Sequence, residues 1–258
     1  FSYGVLQGIG QGMIYTTILP TAQKWFPDRT GFASGIIITA NGLCGFFLAP
    51  ISRALLSNGS ASKAFLIVGS VIGISWILST VFFATPEEQP HASAAADVPQ
   101  TFTTKQYTSG EMVRTKEFWF LLATMLFGLI SYFLISPISQ TYQIEQGISP
   151  SVAISAVMIG SIVNAGARLI LPTVADKVGR AACVRVALIT AVIAMLMMRF
   201  AGSWAVTVAV ILIYGCYGGI MGSFPSFTSS IFGIKHSGEN YGFVMCAIVI
   251  GSLGSPFV

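Results

Sequence analysis

Charged residues are scarce in this chain. Asp, Glu, Lys and Arg make up 9% of its 258 residues, where soluble globular proteins carry roughly 25%. A soluble fold of this length could bury a sizeable core but would still need a charged surface, and the residues for one are lacking. Cysteine is also sparse. Cys44, Cys183, Cys216 and Cys246 stand far apart inside apolar stretches. They show neither C-x-x-C nor His/Cys ligand spacing, so no disulfide framework and no metal site are indicated. They read as small apolar packers. Enzyme signatures are missing too. No GxSxG, HExxH or P-loop occurs, so no enzymatic activity, ATP-driven transport or cofactor is expected. The string Gly8-Ile9-Gly10-Gln11-Gly12 is no nucleotide loop, because it lies in an apolar stretch with no strand before it. The 13 Lys and Arg give a net charge of +4 but form no patch, which argues against nucleic acid as a partner.

Apolar sequence is abundant: 54% of residues are hydrophobic and the mean hydropathy is +0.78. A bilayer-spanning helix needs about 20 such residues. Eight runs of that kind can be read, at roughly 3–23, 31–55, 64–84, 117–140, 150–173, 183–201, 204–232 and 241–258. They are too long and too uniformly apolar for barrel strands, so an all-α polytopic membrane protein is expected. The lipid bilayer is then the first partner. The cations between the runs set orientation. Lys24, Arg29, Lys105, Arg114, Lys116, Lys177, Arg180, Arg185 and Lys235 fall on one side, and Arg53, Lys63 and Arg199 on the other. The positive-inside rule makes the first side cytoplasmic. Residues 85–116 are polar and rich in Pro, Ala and Ser, and read as a cytoplasmic linker. Both ends look truncated, with no signal peptide.

A faint repeat is present at a shift of 211 residues. It places Tyr3-Gly4 on Tyr214-Gly215, Gly8-Ile9 on Gly219-Ile220, and Gly31-Phe32 on Gly242-Phe243. Parallel repeats of this kind are a transporter signature. Gly4, Gly8 and Gly12, and Gly215 and Gly219, recur every four residues and make small-residue helix faces.

Arg168 is the most informative residue. It lies inside an apolar run, about two turns from Asp176. A charge at mid-bilayer costs roughly 2.5–3.5 kcal/mol on insertion scales. No Asp or Glu occupies the core of any run to offset it. A guanidinium without a resident carboxylate suits a carboxylate ligand, which it can grip through two parallel bonds. The bland alternative is an Arg that snorkels to the interface or pairs with a further segment. Asn164 is one turn before it on the same helix face, placed either to orient the guanidinium and bond substrate, or to pack helices.

The strings GIGQGMIY, KWFPDRTGFASGI, SGEMVRTKEFWFLL, ADKVGR and FGIKHSGENYGF occur in the order found in the oxalate/formate antiporter family of the major facilitator superfamily. The chain resembles that family over nearly its whole length. The resemblance implies a twelve-helix, two-lobed protein of which the eight runs are helices 4 to 11. Residues 1–84 would complete the first lobe, 85–116 link the lobes, and 117–258 begin the second. Family members exchange small carboxylates, so small carboxylate anions are the expected substrates, a monomer the expected state, and the plasma membrane the expected location. The family's essential cation falls at Arg168. Its aromatic residues around the anion fall at Tyr15 and Tyr217, with Tyr132 and Tyr214 as weaker candidates. Superfamily loop charges that latch the lobes fall at Asp28, Arg29, Asp176 and Arg180. The second cation of oxalate carriers, a helix-11 lysine, has no counterpart here; Ile248 stands near its position. Related proton-coupled monocarboxylate carriers have an Asp where this chain has Asn164. Exchange or uniport of monocarboxylates is the leading expectation. A proton-coupled carboxylate or drug transporter, an anion channel, and a membrane sensor without flux are its rivals.

Overall fold

A computed structural model of the chain describes residue 5 and residues 7–57, 61–82, 105–200 and 202–254. All regular structure among them is helical. The elements are α1 (Gln7–Trp25), α2 (Thr30–Ser57), α3 (Ala61–Phe82), α4 (Ser109–Val113), α5 (Lys116–Ile135), α6 (Ser139–Glu145), α7 (Pro150–Val178), α8 (Arg180–Phe200), α9 (Ser203–Phe232), α10 (Ser237–Val244) and α11 (Cys246–Gly254). Five stretches among the described residues are long and apolar enough to cross a membrane: Ser62–Ser79, Lys116–Glu145, Pro150–Val178, Arg180–Phe200 and Ser203–Phe232. Their outward faces carry bare Phe65, Phe120, Ile162, Phe200 and Trp204. A soluble surface would not tolerate so many large apolar groups, whereas lipid solvates them.

Two compact units emerge from the packing. One comprises residues 1–39 and 95–258, the other residues 40–94. The first is built around α9. In the most apolar part of α9, 67% of the residues are buried, against 17% for α7. This centrality follows from its sequence. Small residues let neighbours close in on it, and most of its buried hydroxyls bond its own backbone. Ser223 donates to the Gly219 carbonyl and Thr228 to that of Phe224, which spares these buried donors the cost of going unpaired; the buried Thr207 hydroxyl has no partner among the described residues.

The eighth expected run, 241–258, is not one helix. It breaks at Met245 between α10 and α11. The Met245 amide still donates to Tyr241, but the Ile248 amide donates to Met245, a tightened turn. Neither Gly nor Pro marks the break, so hydropathy alone gives no sign of it.

The expected linker holds a second difference. Residues 83–104 lie outside the described residues, but 105–116 are built into the fold. The Tyr107 amide donates to the Phe232 carbonyl, and Asn240 Nδ2 donates to the Tyr107 carbonyl, both at 3.0 Å. Gln106 Oε1 accepts from the Lys235 amide at 3.0 Å. Thr108 and Glu111 then form a capping box that starts α4. The Thr108 amide, and after it the Thr108 hydroxyl, hold the Glu111 carboxyl below the usual carboxylate range. That cap is fully present above the ordinary Glu range and is lost as pH falls through the lowered value. The FGIKHSGENYG string thus has a structural use: Phe232, at its start, and Asn240 tie this strap to the end of α9 and to α10.

Candidate functional site

Arg168 and Asn164 share one face of α7, as their spacing requires. Arg168 Nε donates to Asn164 Oδ1 at 2.9 Å, and one terminal nitrogen donates to the Ile38 carbonyl of α2 at 3.3 Å. Both acceptors are neutral. Among the described residues the one ion pair is Asp176–Arg180, so Arg168 has no carboxylate partner there. Tyr217 of α9 faces it, with the guanidinium carbon 5.8 Å from the ring centre. Tyr132 of α5 stacks on Tyr217 at 3.9 Å and meets Tyr214 edge-on at 5.0 Å. The Tyr214 and Ser136 hydroxyls lie 3.3 Å apart. Tyr15 of α1 packs against the same core cluster as Tyr217, and both lie within electrostatic reach of the Tyr241 hydroxyl. The aromatic group is therefore larger than Tyr15 and Tyr217 alone. It takes in Tyr132 and Tyr214 and flanks a fixed cation. Such rings keep water from the cation and so strengthen its field.

Glycines set the distances. A Cβ on Gly218 would collide with the Asn164 carbonyl oxygen. One on Gly222 would strike the Arg168 carbonyl oxygen and come within 2.9 Å of its Cα. Gly215 and Gly219, the pair marked by the repeat, instead meet the side chains of Val163 and Leu171. The backbone-to-backbone contact that positions Asn164 and Arg168 is thus made by Gly218 and Gly222. Gly222→Ala should lower thermal stability, because backbone on both sides must shift. Overpacking typically costs about 1–3 kcal/mol, which outweighs the roughly 1 kcal/mol that Ala gains over Gly in a helix. Gly166→Ala is the control: its Cβ would meet only Ile170 Cδ1 at 3.9 Å, so that variant should match or exceed wild type. Thermal unfolding in detergent reads both.

A second constellation joins α2 to the end of α7. The Gly31 and Phe32 amides donate to the Asp176 carboxylate at 3.1 and 3.0 Å. Arg180 donates to Asp176 and to the Thr30 hydroxyl, at 3.1 and 3.0 Å. Asp176 thus accepts the free amides at the start of α2, where the helix dipole favours an anion. Gly31 is required because a Cβ would meet the Pro172 carbonyl and the Asp176 oxygens. Gln23 extends the contact. Its Nε2 donates to Ser34 at 2.8 Å, and its Oε1 accepts from Ser229 at 2.5 Å, all three residues being buried. Asp28 and Arg29 do not join this group. They lie exposed on the 3₁₀ turn Pro27–Arg29. A separate crevice of about 630 Å³ opens between α1 and α10, lined by Thr17, Thr21, Lys24, Lys235, His236 and Glu239 among others. It contains none of the residues around Arg168.

The comparisons bear on the family. Residues 1–256 match the Major Facilitator Superfamily. An oxalate:formate antiporter from Oxalobacter formigenes is 32% identical over 251 residues, 96% of this chain and 59% of the relative. The uncharacterized MFS-type transporter YhjX of Escherichia coli K12 is 29% identical over 260 residues, 98% of this chain and 62% of the relative. Human monocarboxylate transporter 11 is 26% identical over 183 residues, 67% of this chain and 36% of the relative. The chain spans about three fifths of the length of the first two. With its bundle of long apolar helices, it belongs to the Major Facilitator Superfamily and is an integral membrane protein that crosses the bilayer several times.

Proposed function

We propose that the protein carries small monocarboxylates across the membrane by alternating access, as an exchanger or uniporter rather than an enzyme. One observation carries the reading: a guanidinium on α7, fixed by two neutral oxygens, flanked by tyrosines and without a carboxylate partner among the described residues. The Asn164 bond uses Nε and the Ile38 bond one terminal nitrogen. A carboxylate can then take the remaining terminal donors, the arrangement that pairs best with a fork. The relatives named for oxalate, formate and monocarboxylate transport support the same substrate class.

In this reading α1, α2 and α3 belong to one lobe and α5 to α11 to the other, and residues 85–116 run between them on the cytoplasmic side. Asp176 and Arg180, bound to the start of α2, would then latch the lobes on that side. The Gln23–Ser34–Ser229 node lies next to the latch and would part with it. Carboxylate binding would favour release of these bonds, as alternating access requires two states of differing affinity.

Counterflow in proteoliposomes tests the proposal. Full-length protein preloaded with unlabelled lactate or formate should accumulate labelled anion transiently and saturably. Non-saturating flux without counterflow would indicate a channel, and absence of flux a non-transporting role.

A further inference from the structure

Tyr241 lies in α10, two turns before Ile248 and one turn before the break at Met245. Nothing in its local sequence points to a ligand. Its placement does. The residue is only 2% exposed, yet its hydroxyl has no hydrogen-bond partner among the described residues. Buried hydroxyls are nearly always partnered, so an orphan needs an explanation. The surroundings supply one. Tyr241 sits in the cluster that holds Ile38, whose carbonyl binds Arg168, and against which Tyr15 and Tyr217 pack. Its hydroxyl lies within electrostatic reach of the Arg168 guanidinium and of the Tyr15 and Tyr217 hydroxyls. Three helices, α1, α7 and α9, therefore bring polar side chains within electrostatic reach of the Tyr241 hydroxyl on α10.

We infer that the Tyr241 hydroxyl is a second donor for the carried anion, bonding a carboxylate oxygen while Arg168 supplies the charge. This rests on the carboxylate reading above and adds a neutral donor contributed by a different helix. The division of labour suits a monoanion. Arg168 matches the single charge, and a tyrosine hydroxyl satisfies a remaining lone pair without adding a second cation. It also links substrate to motion. Gly238 seats α10 directly on the Thr16 carbonyl of α1, so an anion drawn toward Tyr241 bears on the contact between α1 and α10.

The test uses full-length protein in detergent and in liposomes, with formate, lactate and pyruvate as probes. Tyr241→Phe keeps the ring and removes only the donor. A hydrogen bond to a charged group is expected to make about a tenfold difference in affinity. The half-saturating anion concentration should therefore rise about tenfold, for both anion-induced thermal shift and uptake. Ligand-free melting temperature should stay level or rise, since the variant buries no orphan hydroxyl. Unchanged affinity would make Tyr241 a packing ring and overturn the inference, leaving the carboxylate reading intact. A lower ligand-free melting temperature would show that the hydroxyl serves the fold instead, and would also overturn it. If none of the probes shifts the wild-type protein, both readings fail together.

Discussion

Arg168→Ala is expected to reduce saturable carboxylate uptake at least a hundredfold while membrane abundance stays near normal. The argument concerns what the guanidinium touches. Its two bonds go to an amide oxygen and a backbone carbonyl, and no acid among the described residues depends on it for neutralisation. Truncation therefore strands no buried counter-charge within them. Breaking an ion pair from one side costs about 3–5 kcal/mol. Here that penalty falls on the bound anion rather than on the folded protein, which corresponds to a loss of two orders of magnitude or more in binding. Arg168→Lys should also fail to restore wild-type uptake. One ammonium on a flexible stem cannot bond Asn164, the Ile38 carbonyl and both carboxylate oxygens together. Uptake by reconstituted variants, normalised to protein in the membrane, reads the effect. Wild-type kinetics in Arg168→Lys would mean that net charge alone matters. Loss of the protein on Arg168→Ala would make the residue structural.

Arg168 was legible in the sequence because a charge in an apolar run is conspicuous whatever the fold. Asn164 followed from helical spacing, and the two do bond. The class of protein was legible for the same reason, since hydropathy is a sum over many residues. What could not be read locally was decided by contacts across more than a hundred residues. Asp176 looked like one of four loop charges. The structure separates it and Arg180 from Asp28 and Arg29 because only the first pair meets the start of α2, 145 residues away in the case of Gly31. The glycine faces were visible, but their register was not. A four-residue repeat of glycine does not say that Gly218 and Gly222, rather than Gly215 and Gly219, meet the α7 backbone. Tyr241 and Asn240 fell within one motif and gave no hint of different uses. Asn240 ties down the 105–109 strap, while Tyr241 faces the cluster around Arg168.

The charge count around Arg168 leads to the second large effect. Monocarboxylates such as formate, lactate and pyruvate should be carried in preference to oxalate by a factor of a hundred or more. Oxalate is a dianion, and one guanidinium leaves one of its charges uncompensated. The effective penalty for an unmatched charge away from water is several kcal/mol per ion, and 1.4 kcal/mol is a factor of ten. The place where a second cation would act is apolar. Ile248 packs, half-buried, against the cluster that Tyr217 also borders. The neighbours on the other helices are neutral: Asn164, Tyr15, Tyr132, Tyr217 and Tyr241. A hydroxyl can solvate part of a second charge but cannot match it. The same residues bear on coupling. Asn164 cannot titrate, and its Oδ1 is already held by Arg168, so among the described residues no carboxyl beside the guanidinium is placed to pass a proton with the anion. Transport should accordingly leave internal pH unchanged beyond what free acid permeation produces. Ile248→Lys provides the converse. A cation there, within a turn or two of Tyr241, should raise oxalate uptake relative to lactate. Flux of both anions into liposomes with an internal pH dye measures all three quantities together. Oxalate preferred by the wild-type protein, or one proton entering per anion, would overturn the reading of an uncoupled monocarboxylate carrier.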